Sequence, residues 1–206
     1  MAARESYIRM TETRQRLLSA TRTCLATKGF AATTSRDIAA EAGANLAAIT
    51  YHFGSKDRLV AEALLETLRA WLQPTLDVLR GDGDPTARTL SGIQTLTATF
   101  EAHRHEASTY LQAMVEAPRM QPLQDGIVAL WTELRLLPVD QMRVMQEDGE
   151  LAAWVDPEAM SSVLLAVANG LVLQVTVDPD GPALSTMAGP FGALLLAARR
   201  PATDAP

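Results

Sequence analysis

A chain of 206 residues has the length of one compact unit or two small ones, which excludes a multidomain enzyme. With 48% apolar and 20% charged residues it can bury a substantial core, so disorder is excluded for most of its length, and the tail 201–206 is expected to be loose. The formal charge of −6 conceals a division: residues 1–60 hold nine basic and five acidic side chains, for +4, and the rest of the chain carries −10. A basic head on an acidic body points to a polyanionic partner for the head, although +4 taken alone also fits an unevenly charged solvated surface. No apolar run approaches the roughly 20 residues that span a bilayer, and MAARESYIRMTETRQR lacks the apolar centre of a signal peptide. A soluble, cytoplasmic protein is expected.

Helical spacing runs through the sequence, and strand-like alternation is scarce. Thr11 or Thr13 is expected to cap a first helix with Leu17, Leu18, Thr21, Cys24 and Leu25 on one side and Gly29 at its end. Cys24, the single cysteine, excludes an internal disulfide and reads as a small core side chain. Thr34 or Ser35 caps a short helix with Ile38, Ala39 and Ala42 facing inward, closed by Gly43. Asn45 caps a third, Leu46 to His52, whose inward pair is Ile49 and Phe53. After Gly54, Ser55 can cap a longer helix carrying Leu59, Ala63, Leu64, Leu68, Trp71 and Leu72, which Pro74 should end or kink. The clearest break is 81-GDGDP-85. Beyond it the spacing predicts helices over 86–103, 106–117 and 123–146, a helix opened by Asp156-Pro157 and ending near Val177, and a last one over 183–199 interrupted near Gly189-Pro190.

Two short helices joined by a tight glycine-containing turn, 34-TSRDIAAEAGANLAAITYHF-53, have the outline of a helix-turn-helix, in which the second helix presents its N-terminal end to the major groove. The stretch Arg16 to Leu59 resembles the DNA-binding domain of the TetR family of bacterial transcriptional regulators. The matching pieces are Gly29-Phe30, Thr33-Thr34, Asp37-Ile38-Ala39, Ala42-Gly43, His52-Phe53 and Ser55-Lys56-Asp57-Arg58-Leu59, in the family's order and spacing. The resemblance implies an all-α fold: an N-terminal three-helix helix-turn-helix domain, 1–60, followed by a helical-bundle ligand-binding and dimerisation domain, 61–200. It places Asn45, Leu46, Ala47, Ala48, Thr50 and Tyr51 on or beside the reading face. Tyr51, His52 and Lys56 are expected at phosphates, with Thr33, Thr34, Ser35 and Arg36 contacting the backbone from the bracing helix. Arg4, Arg9 and Arg14 could form a basic arm.

The sequence departs from the commoner family pattern, with Leu46, Ala47 and Ala48 after the cap where lysine or arginine often follows, and with Thr50 where tyrosine is usual. Small apolar side chains read thymine methyl groups but make no bidentate bonds to guanine, so operator shape should weigh more. The implied partners are double-stranded operator DNA, a second copy of the chain and a hydrophobic small-molecule effector that releases a repressor from its operator. For dimerisation the favoured segments are 156–177 and the final helix, with Ala159, Val163, Ala166, Val167, Gly170 and Val175 permitting close packing; burial within one subunit is the alternative. Pocket lining is expected from Trp71, Phe100, Tyr110, Met114, Trp131, Met142, Met145 and Trp154, each of which also suits ordinary core packing. No cofactor is implied. The run 101-EAHRHE-106 lacks the spacing of metal ligands on a helix, and no phosphate loop or nucleophile motif marks an enzyme. A helical DNA-binding protein without a sensor, and a small all-helical enzyme, are the alternative readings.

Overall fold

In a computed structural model of the chain, the structure describes residues 2–197, with side chains described over 10–186 and at 190 and 193. Among the described residues there are nine α-helices and no β-strand: α1 Ala2–Lys28, α2 Ser35–Glu41, α3 Leu46–Phe53, α4 Lys56–Arg80, α5 Pro85–Ala102, α6 Ala107–Glu116, α7 Gln121–Glu147, α8 Pro157–Val177 and α9 Leu184–Ala197. Short 3-10 turns at Arg104–Glu106 and Ala117–Arg119 flank α6. Among the described residues the chain forms two compact units, one of 2–68 with Ser108–Val128 and one of Arg69–Ala107 with 129–197. The expected loose tail lies outside the described residues.

In the first unit, the stripe Leu17, Thr21, Cys24 and Leu25, with Leu18 beside it, is buried on α1. The Thr21 hydroxyl donates to the Leu17 carbonyl at 2.7 Å, so its burial leaves no polar group without a partner. Ile38, Ala39 and Ala42 of the α2 segment and Ile49 and Phe53 of α3 are buried as their spacing requires, and α2 packs against both α1 and α3. Gly43, at φ 56°, makes the turn between α2 and α3; a side chain there would be strained in the left-handed region. Further along the chain, α7 passes close to α4: a Cβ on Gly126 would lie 2.1 Å from Leu65 Cδ1.

In the second unit, Leu72, Leu76, Leu79 and Phe100 are buried together with Trp71, whose ring meets the Phe100 ring edge-on at 6.1 Å. Gln141 is buried with its amide donating to the Leu79 carbonyl at 2.7 Å and its oxygen accepting from the Thr89 hydroxyl at 3.2 Å. Met142, Met145, Leu151 and Val155 make a smaller apolar cluster, and α9 packs along α5.

Three features differ from the sequence expectation. The first helix starts at Ala2 and not at Thr11 or Thr13, because the preceding residues are good helix formers with no glycine or proline to stop it. Pro74 lies inside α4, which continues to Arg80. An interior proline costs about 3 kcal/mol, and burying Leu76 and Leu79 beyond it contributes about 1.5–3 kcal/mol each, enough to hold the helix together. The third concerns apolar length. By length and composition α8 is apolar enough to cross a membrane, contrary to the expectation of no such run, and 17% of that window is buried. Its one charged residue, Glu158, lies in the first turn, and the polar residues after it, Ser161, Ser162, Asn169, Gln174 and Thr176, are uncharged, so they break the run of letters without much lowering its hydropathy.

Leu17→Ala should lower the unfolding free energy by about 2–5 kcal/mol, whereas Ser19→Ala on the exposed side of α1 should change it by less than about 0.5 kcal/mol. Urea denaturation of the two variants measures this; equal losses would contradict the assigned core face.

Candidate nucleic-acid interface

Loop 29–34 is held by a small set of internal bonds. The Thr33 hydroxyl contacts the carbonyls of Gly29 at 2.7 Å and Cys24 at 3.2 Å, and the residue is 2% exposed. Lys56 Nζ donates to the Thr33 carbonyl at 2.8 Å, tying the start of α4 to the loop before α2. Thr34 then caps α2 in a reciprocal box: its hydroxyl accepts from the Asp37 N–H at 3.2 Å, and its own N–H donates to Asp37 Oδ2 at 2.9 Å.

Asp37 also pairs with Lys28. That ammonium, followed by the Thr34 hydroxyl and N–H, holds the Asp37 carboxyl well below the usual carboxylate range, and the same bond raises Lys28. Burial pushes the Cys24 thiol up, away from its reactive form.

On α3 the Asn45 side chain accepts from the Ala47 N–H at 2.8 Å, so Asn45 builds the helix start and is itself exposed beside it. With Ile49 and Phe53 buried, the opposite face turns outward. Leu46, Ala47, Thr50 and Tyr51 are exposed, Ala48 and His52 half-buried. Tyr51 is 73% exposed, its ring 4.9 Å from that of His52 and its hydroxyl 3.4 Å from Met10 Sδ. Around this face Arg36 and Arg58 are exposed, and Ser35 and Lys56 are half-buried.

Two expectations change on these contacts. Thr33 was expected at a DNA backbone, but burial and two internal carbonyls fix its hydroxyl to the loop. Arg14 was expected in a basic arm; it pairs instead with Glu62 and lies over the Phe53 ring, 5.2 Å from its centroid. The side chains of Arg4 and Arg9 lie outside the described residues. Missed by the sequence reading were the α1–α4 pairs Arg14–Glu62 and Arg22–Glu66, which join residues more than 40 positions apart.

The second unit contains a cavity of about 790 Å³, counting its open mouth. Leucine, isoleucine and valine side chains from α4, α5, α7, α8 and α9 form most of its wall, and of the eight expected lining residues Phe100 reaches it. Trp71 and Tyr110 are buried, Met142 and Met145 belong to the smaller cluster, Met114 and Trp131 are half-buried, and Trp154 is 73% exposed. Large side chains fill core space, and the void is left where medium-sized aliphatic residues face one another.

A family model described as bacterial regulatory proteins of the tetR family matches residues 17–63. A second, described as the C-terminal part of BetI-type transcriptional repressors, matches residues 85–189. The HTH-type transcriptional repressor KstR2 of Mycolicibacterium smegmatis is 30% identical over 145 residues, 69% of each chain. The chain belongs to the TetR family. Among solved structures, a TetR transcription regulator from Haloarcula marismortui is 22% identical with a TM-score of 0.77, over 92% of this chain and all of the other. A Saccharomonospora viridis protein solved in complex with choline is 23% identical with a TM-score of 0.75, over 92% of this chain and 98% of the other. Both share the fold. As a TetR-family member the chain is a DNA-binding transcriptional regulator and not an enzyme, and the all-helical architecture read from the sequence holds.

The Lys28–Asp37 pair predicts a pH dependence. A lowered carboxyl contributes stability above its unfolded value of about 3.9 that is lost as pH falls through the folded value. Raised Lys28 contributes below about 10.4 and loses that contribution only as pH rises further. Asp37→Asn should therefore be less stable than the parent at pH 7, with the gap closing below about pH 4; denaturant midpoints across pH 3–7 measure it, and a constant gap would contradict the pairing.

Proposed function

We propose that the protein is a homodimeric repressor that holds an inverted-repeat operator and releases it when a hydrophobic small molecule enters the cavity of the second unit. Residues 1–60 bind DNA in this reading, and 61–200 dimerise and sense. The observation that carries the DNA half is the outward face of α3, where Leu46, Ala47, Thr50 and Tyr51 are exposed above buried Ile49 and Phe53. A helix whose inner pair anchors it while its first turn stays open is suited to a major groove. The assigned base-facing residues are Asn45, Leu46, Ala47, Ala48, Thr50 and Tyr51. Phosphate contacts fall to Tyr51, His52, Lys56 and, from α2, Thr34, Ser35 and Arg36. Lys56 keeps two ammonium protons for a phosphate while the third holds the Thr33 carbonyl.

The dimer reading is supported by α8. Val163, Leu173 and Val177 are exposed although apolar, and a second copy of the same face would cover them. Two reading helices related by a two-fold axis would then meet successive major grooves roughly 34 Å apart. The effector reading is supported by the apolar cavity. Helix α4, which begins at Lys56 and supplies Thr75 to the cavity wall, is the proposed lever. To take occupancy from nearly full to nearly empty, the effector must favour the released state by about 10⁴-fold, or about 5.5 kcal/mol.

Mobility shifts on DNA flanking the protein's own gene, at two salt concentrations, test this with three variants. Lys56→Gln keeps a donor for Thr33 and should weaken binding to all sequences while reducing the salt slope by about 1. Tyr51→Ala should also change operator choice, and Val163→Asp should yield monomers by light scattering together with loss of the retarded band. Unchanged affinity in both Lys56→Gln and Tyr51→Ala would refute the interface. Retention of the DNA with every small molecule tried would favour a regulator without a sensor.

A further inference from the structure

Three of the hydroxyls lining the cavity are already engaged by the protein. Thr89 contacts the Pro85 carbonyl at 3.0 Å, Thr97 the Ile93 and Gln94 carbonyls at 3.0 and 2.9 Å, and Ser161 the Arg135 carbonyl at 2.7 Å. Thr75 on α4 also lines the cavity and is 3% exposed, yet its Oγ1 has no hydrogen-bond partner. Threonine in a helix commonly turns its hydroxyl back to a carbonyl three or four residues earlier, as Thr89 and Thr97 do. A buried hydroxyl left without an acceptor is unfavourable unless something else satisfies it. Among the described residues of the wall none is charged, and Phe100 is the one aromatic ring. A carboxylate or quaternary ammonium entering there would lose hydration and find neither a counter-ion nor an aromatic cage.

We propose that the cavity takes an uncharged, largely apolar molecule carrying one carbonyl or hydroxyl oxygen, and that this oxygen accepts a hydrogen bond from Thr75 Oγ1. This rests on the effector-sensing reading for its regulatory meaning, but the chemical class follows from the wall itself. Thr75 is thereby a specificity-determining residue: the aliphatic side chains hold any chain of suitable length, and the hydroxyl selects the neutral polar end and fixes its orientation.

The probes are 2-nonanone, 1-nonanol, nonanoate and octyltrimethylammonium, titrated calorimetrically into the full-length protein and into Thr75→Val and Thr75→Ser. The ketone and the alcohol should bind, with nonanoate and octyltrimethylammonium at least tenfold weaker. Thr75→Val preserves shape and removes the orphaned hydroxyl, so it should fold at least as well while binding the ketone about fivefold to tenfold more weakly; Thr75→Ser should restore most of the affinity. Equal ketone affinity in the parent and Thr75→Val, tighter binding of either charged probe, or no binding of any probe would overturn the proposal. Ketone binding that depends on Thr75 but leaves the DNA complex intact would uphold it and refute effector release instead.

Discussion

Helices of seven and eight residues do not persist in water by themselves, and α2 and α3 are of that length. Their existence depends on burying Ile38, Ile49 and Phe53 in the core that includes Leu17, Leu18 and Leu25 of α1. Each inward residue therefore sets what its neighbours on the opposite face can do: Ile49 and Phe53 point in, so Leu46, Thr50 and Tyr51 point out. Capping completes the arrangement at both starts. Thr34 and Asn45 satisfy N–H groups that would otherwise be left open at the two helix ends nearest the proposed DNA.

Much of the positive charge in the head has a structural task. Arg14 and Arg22 join α1 to α4, and Lys28 secures the start of α2 through Asp37. Exposed ion pairs of this kind add little stability individually, but they fix where charge is located. What remains at the outward face of α2 and α3 is a small cationic set, Arg36, Arg58 and Lys56, around a reading surface of small apolar residues and one tyrosine. Such a surface favours thymine methyl contacts and sequence-dependent groove shape over hydrogen bonding to guanine.

The parts of the head legible in the sequence were those determined within a few residues. Thr34, Asn45 and the glycines at 29, 43 and 54 act locally, and the helices turn where those residues say. The periodicity of Leu17, Thr21 and Cys24 identified the buried side of α1 for the same reason. What the sequence did not reveal depends on distant partners. Nothing near Arg14 announces Glu62, and nothing near Thr33 announces that Lys56 will bind its carbonyl. The helix-turn-helix was further identified by family resemblance, which local physics alone would have left as one of several readings. The cavity was least legible: aromatic and methionine residues were expected to line it, but Trp71, Tyr110 and Met142 fill core space, and most of the wall is built from aliphatic side chains of five helices. Pro74 shows the reverse: of the two expected outcomes, ending the helix is overridden by the burial of Leu76 and Leu79 beyond it.

The central claim is that the outward face of α3 touches DNA. Photo-crosslinking tests it with p-benzoylphenylalanine in place of Tyr51 or of the exposed Trp154 in the second unit, each bound to a DNA fragment the protein retards. Irradiation should give a covalent protein–DNA adduct from position 51 and none from position 154. An adduct from position 154 with none from 51, in protein that still retards the fragment, would contradict the account.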